Sequence, residues 1–452
     1  MLYSILRPRL LSPYRHTKKA KLGSLLSLVG VCDRKFVHGA AAASGDRDTY
    51  KTTENASGPV TQHPHNSTFG GLGRYLRSFD SSLLEPAETP VSSSPNSELI
   101  SSYTWLPTTS PPTIHVPGVT PTWKPMIFPA QLASDDQFID PPNRSRSDYR
   151  FEAAFQATNL MKPGFRFDNV DIVARHRTLL DLFKFSCDRG HSKRLTNLNL
   201  YLIKNTLIIA ERKSLDDEGA KGSFKFGRDF RRANTQLPIG AEEEFNYRMI
   251  QYSLGGLSCA VLSRVDACCR SSDDDMSLEP DFTTVASHGT PLDNHGMSKA
   301  PSPPLKSPLV KVIARGSIDP QSSTVEITTT TRQRSKSSNI RQLLKEQLWF
   351  SRTPYLFQGI HGGQGFFRKP RTAHLTQNDF RAWEATEDNQ AGLRKMVHLL
   401  SQLRDTVKAT EEKSCVVLVS SRNLRVFVNG GRPGMGIPKI LSDNTVAEFW
   451  SS

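Results

Sequence analysis

The sequence has no run of about 18 consecutive apolar residues, so it contains no segment that could cross a membrane as a helix. It is also poor in cysteine. The six cysteines form no CxxC pair and no dense framework, which argues against a structural zinc site and against a disulfide-rich secreted fold. These shortages favour a reducing intracellular compartment, either nuclear or cytoplasmic.

Acidic residues are fewer than basic ones. The chain of 452 residues has 58 Lys and Arg against 44 Asp and Glu, a formal net charge of +14. Excess positive charge attracts polyanions, so RNA or another nucleic acid, or an anionic membrane surface, are the partners to consider. A basic disordered tail that supplies much of the excess is the alternative. The sequence does not indicate a protein partner.

The first 32 residues carry six basic side chains and no acid before Asp33. A targeting segment has this composition, either a mitochondrial presequence or a signal peptide with an unusually long basic region, and the presequence makes a mitochondrial location the alternative to the nucleus or cytoplasm. A basic disordered arm has it too, and Pro8 and Pro13 interrupt any targeting helix. Both interpretations of residues 1–45 stay open.

Composition divides the chain into two parts. Residues 1–147 are basic or rich in Ser, Thr and Pro, and offer too little apolar surface to offset the entropy of ordering, so we expect them to be disordered. Residues 148–452 read as one mixed α/β domain. A second polar, Ser- and Pro-rich stretch begins at residue 271, and we expect a flexible insertion at 271–320.

Apolar periodicity predicts the elements of this domain. Segments 149–161, 337–351 and 377–408 have helical spacing, and 169–187 reads as a short strand that runs into a helix. Segment 198–212 is typical of a hairpin that turns near Lys204. Further strands are expected in 245–269, at STVEITTTT, at 353–367, and in a hairpin made by CVVLVSS and LRVFVN.

Two carboxylates lie in these strands. Side chains two residues apart share a face of a strand, so Arg264 and Asp266 of SRVDA point the same way, as do Glu326 and Thr328 of VEITT. If the two strands are neighbours, Asp266 and Glu326 can converge. Two convergent carboxylates are suited to Mg²⁺ or Mn²⁺, although most acids near strand ends are merely solvated.

A basic segment follows the second of these strands. Six cations face a single acid, Glu346, and the aromatic residues Trp349, Phe350 and Tyr355 lie nearby. Such a segment can hold a phosphate backbone and stack bases, or it can be a solvated helix face with Trp349 in the core. The candidate nucleic-acid-binding residues are Arg332, Arg334, Lys336, Arg341, Lys345 and Arg352.

Residues 148–452, including YRFEAAFQATNLMKPGFRFDNVDIV and NTLIIAERK, resemble a family of uncharacterised fungal proteins, some of them labelled geranylgeranyl pyrophosphate synthetases. Such synthetases are all-helical and use paired Asp-rich motifs. Here Asp273, Asp274 and Asp275 lie in the expected flexible insertion and have no second motif, and the predicted strands contradict an all-helical fold, so we discount that label. More distantly, YSLGGLSCAVLSRVDACC, STVEITTTT and QLWFSRTPYLFQGIHGGQGFF, within residues 245–367, resemble the decapping exoribonucleases.

The nuclease resemblance implies a restriction-endonuclease-like central sheet flanked by helices, and hydrolysis of RNA 5′ ends with Mg²⁺ or Mn²⁺. The family's acid-x-Asp and Glu-x-Lys motifs carry over only to Asp266 and Glu326, and Gln347 matches a polar helix position of the family. Arg264 stands where an acid is expected and Thr328 where a lysine is expected. Substitutes for the lysine are Arg332, Lys336 or Lys345, and Glu211, Glu242, Glu243 or Glu244 can supply another ligand.

The sequence therefore leaves three hypotheses. The first is a degenerate relative of decapping exoribonucleases that engages RNA with weak or lost catalysis, because an arginine puts positive charge where a metal ion should bind. The second is a non-catalytic protein-interaction module with the same fold. The third is an active nuclease dependent on Mg²⁺ or Mn²⁺.

Overall fold

The structure, a computed structural model, describes residues 71–92, 97–106, 109, 111–135, 150–189, 197–212, 226–238, 245–269, 309–420, 422–431 and 437–451. All of them belong to one unit, which spans residues 66–452. Among these residues no helix combines the length and the hydropathy that a bilayer crossing requires.

Strands dominate the described part of the chain. They are β1 Leu72–Asp80, β2 Glu98–Trp105, β3 Thr113–Gly118, β4 Thr122–Trp123, β5 Ala130–Gln131, β6 Ile172–Arg175, β7 Leu198–Ile203, β8 Thr206–Glu211, β9 Thr235–Gln236, β10 Asn246–Leu254, β11 Leu257–Val265, β12 Ala267–Cys268, β13 Lys311–Gly316, β14 Thr324–Thr331, β15 Tyr355–His361, β16 Phe366–Phe367, β17 Arg371–His374, β18 Ser414–Val419 and β19 Asn423–Asn429. This strand content is incompatible with an all-helical prenyl-transfer fold.

The α-helices alternate with these strands. They are α1 Arg150–Met161, α2 His176–Ser186, α3 Gly227–Ala233, α4 Ser338–Ser351, α5 Gln377–Glu384, α6 Glu387–Lys408 and α7 Asp443–Phe449. The fold class is mixed α/β, as the sequence predicts.

The larger sheet has the order β1-β19-β18-β7-β8-β6-β11-β10-β2-β3-β13, and β6 runs parallel to β8 and to β11. Its central strands are apolar on both faces. In β6, Ile172 and Ala174 join a core that also contains residues of α2, α4, α5 and α6, whereas Val173 joins a second core with α1 and α7. Helices therefore cover both faces of the sheet, which is why these strands read as continuous apolar runs.

The smaller sheet has the order β5-β16-β15-β14-β12-β4-β9, with β17 added to β15. A third core lies against it, formed by apolar side chains that include Phe226, Phe230, Val325 and Phe357. The two sheets are joined through the chain itself, because β11 of the larger sheet is followed after one residue, Asp266, by β12 of the smaller sheet.

Residues 72–131 correct the expected N-terminal boundary. The prediction that residues 1–147 are disordered is wrong for this stretch, which supplies β1 to β5. The content of serine and threonine in this stretch suggested disorder, but in β2 these residues are part of the core. The hydroxyl of Ser101 donates to the carbonyl of Ala154 at 3.1 Å, and that of Ser102 donates to the carbonyl of Pro117 at 2.8 Å. The remaining predictions for residues 1–70 lie outside the described residues.

The prediction of a flexible insertion at 271–320 is also wrong for its C-terminal residues. Residues 311–316 form β13, which pairs in parallel with β3 at the edge of the larger sheet. Residues 270–308, including the three aspartates at 273–275, lie outside the described part of the chain.

The predicted elements of the domain are otherwise confirmed, with one difference. Segment 198–212 is the hairpin β7–β8, and the segment of unassigned type at 245 is β10, which pairs with β11. The helix expected over 377–408 is interrupted, because α5 ends at Glu384 and α6 begins at Glu387. The side-chain amide of Asn389 donates to the carbonyl of Trp383 at 2.8 Å and so satisfies a carbonyl at the end of α5.

Candidate functional site

The two carboxylates singled out in the sequence lie on neighbouring strands. β12 pairs antiparallel with β14 in a register that places Ala267 opposite Val325, so the preceding residue, Asp266, lies at the level of Glu326. The backbone N–H of Ile327 donates to Oδ2 of Asp266 at 3.0 Å. The strands that carry or adjoin the two carboxylates are therefore neighbours, as the sequence argument required. They meet where the chain passes from the larger sheet to the smaller one.

Asp266 is fully buried; Oδ2 accepts a hydrogen bond, whereas Oδ1 makes ion-pair contacts without a hydrogen bond of good geometry. Oδ2 accepts the backbone hydrogen bond from Ile327, and Oδ1 lies 3.0 Å from Nη2 of Arg264. A second guanidinium, that of Arg231 on α3, approaches Oδ1 at 4.0 Å. Although burial alone lowers the pKa of Arg264, the carboxylates of Asp266 and Glu326 outweigh it and hold that pKa above its usual value. Asp266 is thus part of an ion pair.

Glu326 is half-buried and accepts a hydrogen bond at Oε1 from Nε2 of Gln347 on α4, at 2.5 Å. Burial and, next, the nearby charge of Asp266 raise the pKa of Glu326 to about 8, against the opposing effects of Arg264, Arg177 and Arg231. At neutral pH the protonated form of Glu326 therefore predominates. The expectation that Gln347 belongs to the same site agrees with this contact.

Thr328 is half-buried two residues further along β14, opposite Gln358 of β15. Its side chain is uncharged, so it cannot supply the positive charge that a lysine at this position would bring to Glu326. Of the suggested substitutes for a lysine, Arg332 and Lys336 are exposed beyond the end of β14, and the charge of Lys345 acts on Asp379 of α5. The cations that act on Glu326 are arginines instead.

Two of these arginines, Arg177 and Arg231, were not singled out in the sequence. Arg231 lies with Arg264 over the ring of Phe245, and their guanidinium carbons are 3.9 and 4.3 Å from the ring centroid. Arg177 is exposed in the first turn of α2, directly after β6. Its position at the carboxyl end of a parallel strand was a usable signal, because functional side chains gather there in α/β sheets. No comparable signal marks Arg231.

A buried histidine lies in the same region. Burial, with smaller contributions from the charges of Arg175, Arg177 and Arg264, lowers the pKa of His176 to about 3. Glu211, suggested as a further metal ligand, is occupied on the neighbouring strand, where it accepts a hydrogen bond from Nη1 of Arg175 at 2.6 Å. Residues 242–244, the other suggested ligands, lie outside the described residues.

The described residues at this site do not fit a divalent metal ion. No group of three or more His, Cys, Asp or Glu side chains converges within the described ranges. Of the two carboxylates that meet, Asp266 is paired with Arg264, and Glu326 is held largely in its protonated form. At about 4 Å and an effective dielectric constant of about 20, two unit charges interact with about 4 kcal/mol. Repulsion by Arg264 therefore offsets the attraction of Asp266 for a cation at a similar distance.

The basic segment after β14 presents most of its cations to solvent. Arg332, Arg334, Lys336, Arg341 and Lys345 are exposed. The single acid among them, Glu346, is buried and forms an ion pair with Arg189, so it does not neutralise this surface. We call these five cations the basic surface.

The aromatic residues beside the basic surface do not serve as a stacking platform. Trp349 and Phe350 are fully buried, and the indole N–H of Trp349 donates to Oε2 of Glu384 at 3.0 Å. Tyr355 is half-buried and stacks on His374, with ring centroids 4.3 Å apart. Of the two interpretations of this segment, the structure agrees with the one in which Trp349 is a core residue.

Arg352 does not belong to the basic surface, which corrects the sequence prediction. It ends α4 in the left-handed conformation and is buried, with its guanidinium 4.3 Å from the ring of Tyr252 and 4.1 Å from the ring of Trp349. Burial lowers the pKa of Arg352. A side chain enclosed between two core aromatics cannot contact a phosphate backbone on the surface.

Several solved structures are similar to this fold. With a TM-score of 0.53 and 10% identity, Scheffersomyces stipitis Rai1 matches 82% of this chain and 97% of its own. Candida albicans Rai1, solved in complex with pU5-Mn²⁺, has a TM-score of 0.52 and 8% identity, and covers 82% of this chain and 98% of its own. S. pombe Rai1, solved in complex with 3′-FADP, also has a TM-score of 0.52, at 12% identity, over 78% and 98% of the two chains. The fold is thus that of the Rai1 decapping exoribonucleases.

No functionally curated protein matches the sequence. A family model does match, over residues 74–431, and its description is "Domain of unknown function (DUF8563)". Because the match covers most of the chain and includes both sheets, this protein belongs to the DUF8563 family.

Proposed function

We propose that this protein binds RNA on a decapping-exoribonuclease fold in which metal-dependent hydrolysis of RNA is lost or strongly weakened. One observation carries the proposal: Arg264 lies 3.0 Å from Oδ1 of Asp266, within the pair of carboxylates that would have to hold the metal ion. A guanidinium is permanently charged, so it occupies the electrostatic place of the cation, but it cannot coordinate a water molecule and generate the attacking hydroxide as a metal ion does.

The fold and the basic surface support the choice of RNA as partner. Candida albicans Rai1 was crystallised with pU5 and Mn²⁺, so a protein with this architecture binds a short RNA. In the present chain the basic surface follows β14, the strand that carries Glu326, and the acid that directly follows it, Glu346, is paired with Arg189. Five exposed cations in 14 residues are sufficient for a salt-dependent hold on a phosphate backbone.

Two other functions compete with this one. A non-catalytic protein-interaction module would use the same fold without affinity for RNA. An active nuclease would need Mg²⁺ or Mn²⁺ at Asp266 and Glu326, and the ion pair with Arg264 argues against it. RNA binding would agree with a nuclear or cytoplasmic location, with mitochondria as the alternative.

Two measurements separate the three functions. Cleavage of 5′-triphosphate and capped RNA in the presence of Mn²⁺ is compared between the wild type and Asp266→Ala, and we expect no cleavage by either protein. Binding of a single-stranded RNA is measured at low salt and at increasing salt, and we expect the logarithm of the affinity to fall linearly with the logarithm of the salt concentration. Undetectable RNA affinity at low salt would exclude RNA binding and favour the protein-interaction module. Cleavage that Asp266→Ala abolishes would establish the nuclease.

A further inference from the structure

The strand at one end of the larger sheet, β13, has an open edge. Within the described residues it pairs with β3 on one side and with no strand on the other. The backbone N–H of Lys311 donates towards β3, to the carbonyl of Pro112 at 2.8 Å. Successive residues of a strand direct their N–H and C=O groups to opposite sides, so Val312, Ala314 and Gly316 direct theirs to the open edge.

The two ends of the larger sheet differ in how they are protected against further pairing. At the other end, β1 pairs with β19 through two register irregularities, and such bulges twist an edge strand out of line. In contrast, β13 pairs with β3 in continuous register along its whole length. Ala314 in its middle is small and exposed, and Leu309 and Ile318 at its two ends are 43% and 53% exposed. An extended segment can therefore align with all of β13.

The charges of β13 determine which segment fits best. Val310 and Val312 pack into the core that contains α1 and α7, so Lys311, Ile313 and Arg315 lie on the opposite face of the strand. Cross-strand neighbours of opposite charge stabilise a sheet, whereas like charges destabilise it. The best match for this face is a strand on which an acid, an apolar residue and a second acid occur at every second position.

The same charges disfavour a second copy of this chain as the occupant. An antiparallel pair of β13 strands centred on Ile313 places Lys311 of each copy opposite Arg315 of the other. A parallel pair places lysine opposite lysine and arginine opposite arginine. Both arrangements bring like charges together at two positions. Lysine on an edge strand prevents self-association in this way, and it leaves acidic strands as suitable partners.

We propose that the open edge of β13 binds an acidic, extended segment of a protein partner, which joins the eleven strands of the larger sheet as a further strand. The outward N–H and C=O groups of β13 supply the affinity, and the face formed by Lys311, Ile313 and Arg315 supplies the specificity. This interaction goes beyond the proposed function. It uses none of the residues assigned to RNA binding or to the pair of carboxylates.

The test measures binding of two synthetic peptides, blocked at both ends, to the full-length protein by fluorescence anisotropy at low salt. In the acidic peptide, threonine alternates with leucine, glutamate, valine, glutamate and leucine, in that order. In the basic peptide both glutamates are lysines. The order is symmetrical, so it matches β13 in either direction. We expect the acidic peptide to bind about tenfold more tightly, since two attractive cross-strand pairs replace two repulsive ones.

Variants of β13 test where the acidic peptide binds. Ala314→Pro removes an N–H that faces the open edge and none that faces β3, so we expect it to keep the fold and to abolish binding. Lys311→Glu should weaken binding of the acidic peptide, and its combination with Arg315→Glu should make the basic peptide the better ligand. Far-UV circular dichroism and the melting temperature of each variant show whether the fold is kept.

Arg425→Glu is the matched control. Arg425 is exposed on β19, near the other end of the same sheet, and its charge reversal should leave the affinities for both peptides unchanged. A change as large as that caused by Lys311→Glu would mean that the peptides respond to net charge alone, and it would overturn the site.

Three other results would overturn the proposal. They are no binding of either peptide, equal affinity for both, and binding of the acidic peptide that survives Ala314→Pro. A dimer of the full-length protein in analytical ultracentrifugation that Ala314→Pro dissociates would show that a second copy occupies the edge, and it would overturn the acidic partner as well. None of these results bears on RNA binding, which is measured separately, so the failures of the two proposals are distinguishable.

Discussion

Arg264 and Asp266, two residues apart at the end of β11, form an ion pair in which Nη2 and Oδ1 are 3.0 Å apart. The pair brings one cation and one anion together at the position where the sequence predicts metal-binding carboxylates. The consequences can be measured in metal binding, in stability and in RNA binding.

Restoring the acidic motif should create affinity for metal. In Arg264→Glu combined with Thr328→Lys, we expect Mn²⁺ binding that the wild type lacks, because a second carboxylate joins Asp266 and the cation of the ion pair is gone. Titration calorimetry at neutral pH measures it. Thr328→Lys alone is the control, and it should bind no Mn²⁺ since Arg264 remains.

Asp266 should contribute to stability through both of its contacts. Asp266→Ala leaves the N–H of Ile327 without its partner and Arg264 without its counter-ion, and we expect a loss of roughly 1–3 kcal/mol in the free energy of unfolding. Asp266→Asn keeps an acceptor for Ile327 and should lose less. Urea denaturation measures both variants. Equal stability of Asp266→Ala and the wild type would contradict the buried ion pair.

The raised pKa of Glu326 predicts a pH dependence of stability. The folded protein holds the proton up to about pH 8, whereas the unfolded chain releases it near 4.5, so the folded state binds more protons between these values. The stability that Glu326 contributes is therefore complete below about pH 4.5 and is lost as the pH rises towards 8, by at most about 1.4 kcal/mol per pH unit. The difference in unfolding free energy between the wild type and Glu326→Gln should follow this curve, and a difference that is constant from pH 5 to 8 would contradict it.

The basic surface should govern the salt dependence of RNA binding. Replacing Arg334, Lys336 and Arg341 by alanine should weaken binding at low salt and reduce the slope of log affinity against log salt by up to about 2, since each contact with a single strand contributes about 0.7. Arg352→Met is the matched control. That arginine is buried between Tyr252 and Trp349, and its replacement should leave the slope unchanged.

Much of the fold could be predicted from the sequence because its central elements are locally consistent. Segment 169–187 runs from apolar strand to amphipathic helix, and 198–212 turns at Lys204, which adopts the left-handed conformation that a tight turn needs. The first 147 residues were harder. Strands such as β2 use Ser and Thr as buried, hydrogen-bonded core residues, and composition alone does not distinguish these from linker residues.

The candidate site was predictable only where strand periodicity applied. Periodicity indicated that Asp266 and Glu326 could converge if their strands were neighbours, which they are. Gln347 was suggested only by the resemblance to the nuclease family, and it contacts Glu326 from α4. Arg177 and Arg231 come from separate elements whose approach depends on tertiary packing, so no spacing in the sequence connects them to Glu326. Arg352 was misassigned for the opposite reason: it is near the other cations in the sequence, but the end of α4 turns it into the core.

Titration of the wild-type protein with Mn²⁺, with cleavage of 5′-triphosphate RNA followed in the same samples, tests the central claim most directly. We predict neither saturable Mn²⁺ binding nor cleavage, because Arg264 holds the position of the cation beside Asp266. Saturable binding accompanied by cleavage, with both abolished in Asp266→Ala, would contradict the account.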